Sequence, residues 1–223
     1  MTSKALICFD SEDFQRVKDI SALSDSDYSE NIVPPESFQN INADDKSTDE
    51  LASLLNETDI TIVFIGKHTF ENEKCLKAIE ESFKNNNAFL AVYFNNAEDV
   101  KKSGKEILGK NPFDLFYFEH KDSKTTLNQG AVVMPGKLKR RLSSKEIIAK
   151  TDFIKTYDYI KDNGAENLKN WIEEERQRKA DFWTECAKIS EKEWPAALKV
   201  TNKGGIVSMF LYYDFINNSQ NQN

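Results

Sequence analysis

Three short, continuous runs of apolar residues constrain the fold of this chain most, because they predict strands that other elements must cover. They lie at Ala5–Phe9, Ile60–Gly66 and Ala88–Phe94. Runs of this length are typical of strands buried on both faces of a parallel sheet. Helical patterns separate them, and strands that alternate with helices are joined by right-handed crossovers. The sequence therefore predicts an α/β fold, a doubly wound parallel sheet with helices on both faces.

Other segments predict the elements around these strands. A capping-box pattern that begins at Ser47 predicts one helix, and Asn72–Lys84 predicts another. Pro34-Pro35 predicts that Ser24–Ser47 is at least partly a long loop. Asp114–Glu119 predicts a fourth strand, more exposed than the others because its pattern is mixed.

The C-terminal third of the chain has helical character. Thr151–Lys161 and Ala165–Ser190 predict two helices. The apolar run Ile206–Tyr213 fits either a strand or a helix, and the polar tail from Asn217 predicts disorder. These segments predict a helical C-terminal extension of the sheet domain.

Composition limits the compartment and the partners. The 223 residues include three cysteines, an odd number without a C-x-x-C pair, and neither a leader nor a membrane-spanning run is evident. We therefore expect a reducing, cytoplasmic setting and no membrane partner. The net charge of −7 disfavours non-specific nucleic-acid binding. The local exception is a basic cluster, which predicts either a phosphate contact or a solvated loop: Lys137, Lys139, Arg140 and Arg141.

Ligands of such sheets bind at the carboxyl ends of the strands. Asp10, Ser11 and Asp13 follow the first strand and are well placed for ligand hydroxyl groups, although helix capping explains Asp10 or Ser11 equally well. His68 lies in the loop after the second strand, where it is either a phosphate or ribose contact or an ordinary surface histidine. With His120 as the one other histidine, no metal site is expected.

Cys75 lies near the start of the helix that follows the second strand. A helix N-terminus and the adjacent Lys74 both favour a thiolate, which predicts a nucleophile. Its neighbours Leu76 and Ile79 predict instead a small buried hydrophobic residue. The residues alone leave both interpretations open.

Several motifs carry a family resemblance, and they occur in the family's order along the chain. The segment Ile62–Phe70, read as I-G-x-x-T-F and followed by the Cys75 helix, is the first. Gly109 with Asn111–Asp114 is the second, and Tyr157–Ile172 is the third. Over roughly residues 4 to 175 the chain thus resembles the TIR-like proteins of prokaryotes, especially the ThsB group of the Thoeris antiphage system. The last stretch, from about residue 180, matches no pattern of this family.

The resemblance implies a flavodoxin-like fold, with a TIR-like domain at residues 1–175 and an extension at 176–223 packed on it. It implies that NAD is the substrate and that cleavage of its nicotinamide–ribose bond gives an ADP-ribose-derived signal for an effector partner. A phage protein and a second copy of the chain are further expected partners. The implied nucleotide-binding residues are Asp10, Ser11, Gly66, His68, Thr69 and Cys75.

The family's catalytic glutamate, carried over by register from Thr69-Phe70, falls on Ala78. An alanine cannot orient ribose hydroxyl groups or stabilise an oxocarbenium-like charge. At about 100° per residue, Glu80 lies about 160° from Ala78 around the helix, and Glu81 lies about 60° from it. Glu81 is therefore the candidate substitute, and an ordinary exposed helix glutamate is its alternative.

Two functions follow from these observations. The chain is either an NAD-processing enzyme of antiviral defence or a TIR-like module that has lost catalysis and acts by binding a nucleotide or by protein assembly. A third, generic possibility is a flavodoxin-like regulatory domain with a coincidental match.

Overall fold

The computed structural model describes residues 4–23, 31–41, 47–85, 87–94, 109–121, 124–129 and 154–188. The predictions for the basic cluster Lys137–Arg141, for Ile206–Tyr213 and for the tail from Asn217 lie outside these ranges. The chain divides into two compact units. The first contains Met1–Pro112 and Ile154–Arg178, and the second contains Phe113–Phe153 and Lys179–Asn223.

The described residues form six strands, which are β1 (Lys4–Cys8), β2 (Thr58–Ile65), β3 (Ala88–Tyr93), β4 (Phe116–Lys121), β5 (Lys124–Gln129) and β6 (Thr156–Asp158). They also form five α-helices, which are α1 (Phe14–Leu23), α2 (Pro35–Gln39), α3 (Ser47–Leu55), α4 (Glu73–Lys84) and α5 (Gly164–Lys188). Single 3-10 turns occupy Ser11–Asp13, Thr69–Glu71 and Pro112–Leu115. Within these ranges, no helix has an apolar stretch long enough to cross a bilayer.

The first unit is built on a parallel sheet with the order β1-β2-β3-β6. Ile32 adds a parallel bridge to Ala5 on the outer edge of β1. If this bridge counts as the second strand, the order becomes the 2-1-3-4-5 of flavodoxin-like folds. The predicted doubly wound parallel α/β fold is thus confirmed, and its switch point lies between β1 and β2.

The sheet is buried because its central strands are apolar on both faces. Each residue from Ile60 to Ile65 is buried, as the continuous apolar run predicted. Polar groups fix α4 against the amino end of β2, where Thr61 Oγ1 donates to Ser82 Oγ at 2.8 Å. Asn87 Nδ2 donates to Thr58 Oγ1 and Thr61 Oγ1 at 3.0 and 3.1 Å. The opposite end of α4 therefore points to the carboxyl edge of the sheet.

The prediction of a helix over Thr151–Lys161 is wrong for its described part. Residues 156–158 are β6, which pairs with β3, and a turn follows. Asp158 explains the difference, because its Oδ1 accepts hydrogen bonds from Ile160 N and Lys161 N, each at 3.0 Å. Such side-chain acceptors compete with helical hydrogen bonds and favour turns.

Two other elements differ from the sequence prediction. Asp114–Glu119, predicted as a fourth strand of the main pattern, contributes to β4, which pairs antiparallel with β5 in the second unit. Two residues separate β4 from β5, and so short a connection permits only a hairpin. In the predicted loop Ser24–Ser47, Pro35 begins the short helix α2, because the first helical position has no need of an N–H donor.

Candidate functional site

The candidate site lies at the carboxyl edge of the sheet, at the switch point between β1 and β2. The turn Ser11–Asp13 follows β1, and the turn Thr69–Glu71 follows β2. The N-terminus of α4 adjoins both, since Asn72 caps this helix and contacts Asp10. Doubly wound sheets bind ligands at this position, because the chain leaves neighbouring strands there in opposite directions.

Asp10 is buried and holds these segments together. Its Oδ1 accepts a hydrogen bond from Glu12 N at 3.0 Å, and its Oδ2 accepts one from Asn72 Nδ2 at 2.6 Å. Asn72 Oδ1 in turn accepts from Cys75 N at 3.0 Å. Both carboxylate oxygens of Asp10 therefore have protein donors, which gives this residue the role of a brace at the edge of the site.

The side chains of Thr69 and Cys75 also form hydrogen bonds within the protein. Thr69 Oγ1 donates to Phe64 O at 3.2 Å and accepts from Gly66 N at 2.9 Å, which shapes the turn after β2. Cys75 Sγ donates to Phe9 O at 3.1 Å, and the residue has no exposed surface. Burial raises the pKa of the Cys75 thiol well above its ordinary value, so the sulfur stays protonated. The structure thus places Cys75 as a packed thiol rather than as a nucleophile.

Asp13 differs sharply from Asp10. It is 8% exposed, and among the described residues no donor forms a hydrogen bond with its carboxylate. Its nearest cation is Arg16, whose Nη1 lies 3.7 Å from Oδ1. Burial raises the pKa of Asp13 to about 6. A buried carboxyl group with unused acceptor capacity at a ligand-binding edge is the strongest sign of a functional site in this unit.

Two glycines allow the backbone to pack against Asp13. A Cβ atom on Gly66 would lie 2.0 Å from Asp13 Oδ2, and one on Gly109 would lie 1.9 Å from Gly66 O. Neither position has space for a side chain. The close contact brings the segment that begins at Gly109 beside the loop after β2, where Lys110 Nζ lies 5.2 Å from the centre of the Phe70 ring.

The remaining polar groups of the edge are more exposed. Ser11 and Lys67 are exposed, and His68 Nε2 lies 3.8 Å from Glu12 Oε2 across the two loops. Within the described ranges, no group of three or more His, Cys, Asp or Glu side chains could hold a metal ion. The loops of this edge thus carry hydroxyl, carboxylate, imidazole and ammonium groups, a set suited to a polar organic ligand.

Residues 6–99 match the family model of the TIR-like domain of the Thoeris protein ThsB. Over these residues, which are fewer than half of the 223 in the chain, the protein is similar to the TIR-like domains of the ThsB family. The matched residues run from β1 past β3 and include both loops of the switch point. No curated protein matches the chain. The family indicates a role in antiphage defence.

In the matched part of the chain, Ala78 lies on the inner face of α4 and has no exposed surface. The position onto which the family's glutamate was carried therefore holds a methyl group inside the core. Glu81 is nine residues past Asn72, about 13 Å along the helix axis. The adjacent Ser82 contacts Thr61 near the amino end of β2. The assignment of Glu81 as the catalytic residue stays a prediction, and the residue lies far along α4 from the Asp10–Asp13 segment.

Lys74 occupies the position that resembles the aromatic residue of the family pattern. Its Nζ donates to Phe38 O and Gln39 O, each at 3.1 Å, and lies 4.9 Å from the centre of the Phe38 ring. Burial lowers the pKa of this lysine. Lys74 therefore caps the C-terminus of α2 and holds that helix against the start of α4.

Sequence reasoning placed Asp13 at the site but missed Asn72 and Lys110. Asn72 was visible as a residue at the start of a predicted helix, yet its second bond to Asp10 depends on how two distant segments meet. For Lys110, the one indication in the sequence was the preceding Gly109, which belongs to the second family motif. A glycine that packs against another backbone is recognised only when its neighbour is known.

Proposed function

We propose that this chain acts in antiphage defence by binding NAD or an ADP-ribose-derived nucleotide at the carboxyl edge of its sheet, without cleaving it. The observation that carries this proposal is the complete burial of Ala78. Cleavage of the nicotinamide–ribose bond needs a carboxylate beside the ribose, because positive charge develops on the sugar as nicotinamide leaves. The α4 position that would supply this group in a TIR-like enzyme holds only a buried methyl group.

Several features of the edge support the proposal of nucleotide binding. Asp13 offers a carboxyl group without hydrogen-bond donors from the described part of the chain, so hydroxyl groups of a ribose can satisfy it. His68 and Ser11 lie on the adjoining loops and can take further polar contacts. Asp10, Asn72 and Thr69 hold these loops in place through their own hydrogen bonds. Such preorganisation lowers the entropy cost of binding.

A second candidate function is NAD cleavage with Asp13 as the carboxylate. The favouring observation is the buried position of Asp13 at the switch point, with a pKa raised to about 6. Active sites often contain carboxyl groups perturbed in this way. In that case Asp13, on the loop after β1, would act in place of a glutamate on α4.

One experiment separates these candidates. Purified protein is incubated with NAD, alone and with candidate phage proteins, and nicotinamide is measured by chromatography. Calorimetric titration with NAD and ADP-ribose gives their affinities. We expect no nicotinamide release, saturable binding of at least one nucleotide, and a loss of about 10-fold or more in affinity for Asp13→Asn.

Asp49→Asn is the matched control, since Asp49 is an exposed residue of α3 and lies outside the site. Nicotinamide release that disappears in Asp13→Asn would establish the second candidate. Release that disappears instead in Glu81→Gln would restore Glu81 as the catalytic residue. If the protein neither binds a nucleotide nor releases nicotinamide, both nucleotide functions are excluded and protein assembly remains as the alternative.

A further inference from the structure

The loops of the candidate site carry groups of both charges. The segment after β1 supplies three carboxyl groups, those of Asp10, Glu12 and Asp13, and these residues form the acidic side of the site. The loop after β2 supplies Lys67, and the segment that begins at Gly109 supplies Lys110. A ligand at this edge can therefore contact both carboxylates and ammonium groups.

The two lysines lie on neighbouring segments. The backbones of Gly66 and Gly109 touch, because a Cβ atom on Gly109 would lie 1.9 Å from Gly66 O. Lys67 and Lys110 are each the next residue, one trans peptide or about 3.8 Å farther along the chain. Their long side chains can therefore reach one anion beside the contact between the glycines.

The charges of these lysines are not neutralised by described neighbours. In the ranges that the structure describes, neither forms an ion pair with a carboxylate. By contrast, Lys4 pairs with Glu57 at 3.2 Å and Lys18 pairs with Glu36 at 2.7 Å. Lys110 contacts the face of the Phe70 ring, and Phe70 is buried, so the ring gives the lysine a fixed support.

We propose that Lys67 and Lys110 form a phosphate-binding subsite beside the Gly66–Gly109 contact. This inference rests on the proposed nucleotide binding and adds the orientation of the ligand. The phosphates lie toward the two ammonium groups, and a ribose lies toward Asp13. Lysine binds phosphate as a point charge, and no carboxylate of the described residues forms an ion pair with either lysine. Reversal of the ligand would place its phosphates against the acidic side, where like charges repel.

The test compares ligands that differ in phosphate content. ADP-ribose and adenosine are titrated into the wild type, into Lys67→Gln, into Lys110→Gln and into the double variant, with inorganic pyrophosphate as a competitor. We expect each single change to weaken ADP-ribose binding about 3- to 10-fold, with adenosine binding unchanged. Raising the salt concentration should shrink the difference, because ions screen exposed charges. Lys4→Gln is the control, since it makes the same charge change at the amino end of β1.

The outcomes separate the subsite from the proposed function. If the wild type binds ADP-ribose and the double variant binds it equally well, the subsite is overturned while nucleotide binding stands. If the affinities of the double variant for adenosine and for ADP-ribose fall by the same factor, the lysines do not recognise the phosphate groups, and the subsite is again overturned. If the wild type binds neither compound and does not bind NAD, the proposed function fails and the subsite fails with it.

Discussion

At the scale of single residues, two aspartates three positions apart have different roles because their hydrogen-bond partners differ. Asp10 has donors for both oxygens, from Glu12 N and from Asn72 Nδ2. Asp13 has the backbone of Gly66 against its carboxyl group and Arg16 at 3.7 Å. The sequence shows two acidic residues after a strand but cannot show which one keeps unused acceptor capacity, since that depends on residues distant in the chain.

The first prediction concerns the dependence of stability on pH. The pKa of Asp13 is raised to about 6 in the folded protein, whereas an unfolded aspartate titrates near 4. Between these values the native state binds a proton that the unfolded chain lacks, so the free energy of unfolding falls as pH rises from about 4 to 6. We expect Asp13→Asn to remove this decrease, which is on the order of 1–3 kcal/mol. Urea unfolding from pH 4 to 7.5 measures it.

Two comparisons make the pH prediction specific. The difference between wild type and Asp13→Asn removes the contributions of all other titrating groups. Asp49→Asn, a change at an exposed residue, should keep the wild-type slope. Parallel stability curves for wild type and Asp13→Asn would show that burial does not perturb the Asp13 carboxyl group.

The second prediction concerns Gly66 and Gly109. Gly66→Ala places a Cβ atom 2.0 Å from Asp13 Oδ2, so the carboxyl group must move, at a cost of about 1–3 kcal/mol. In an Asp13→Ala background this cost should fall, because the obstacle is absent. Gly109→Ala meets the backbone oxygen of Gly66 instead, and its cost should persist in that background. Denaturant unfolding of the single and double variants tests this, and equal costs of Gly66→Ala in both backgrounds would refute the contact.

At the scale of secondary-structure elements, the sequence predicts a strand or a helix most accurately where one residue pattern is enough to determine it. Three of the four sheet strands and the helix α4 were predicted within one or two residues, because continuous apolar runs and amphipathic spacing mark them. The strand β6 was predicted as a helix, since a three-residue strand depends on its pairing with β3. The short helix α2 was missed because two prolines favour a loop unless the second occupies the first helical position.

The third prediction concerns the contact between α2 and α4. Lys74→Met keeps most of the aliphatic length but removes two hydrogen bonds to Phe38 O and Gln39 O. We expect a loss of about 1–3 kcal/mol in stability, because the carbonyl groups lose a charged donor. Hydrogen exchange of amides in residues 35–41 should quicken more than in β2. Lys169→Met, at an exposed residue of α5, is the control, and unchanged exchange in α2 for Lys74→Met would show that Lys74 does not hold this helix.

At the scale of the whole molecule, similarity to a family and enzymatic activity are separate questions. The ThsB family match covers residues 6–99, which contain the switch point and its loops. The fold of this region agrees with that match, and the match suggests a role in antiphage defence. Catalysis depends instead on individual side chains within the region. Ala78 and Asp13 are such side chains, and neither the pattern of apolar residues nor the order of elements constrains them.

The proposed function requires that the chain bind an NAD-type nucleotide and leave it intact. The most direct measurement is equilibrium dialysis of the purified protein against NAD and, in a second cell, against ADP-ribose, followed by chromatography of the nucleotide from both chambers. We predict an excess of at least one nucleotide in the protein chamber and complete recovery of NAD in its uncleaved form. Equal concentrations of each nucleotide in the two chambers, or free nicotinamide above the level in a protein-free cell, would contradict the proposed function.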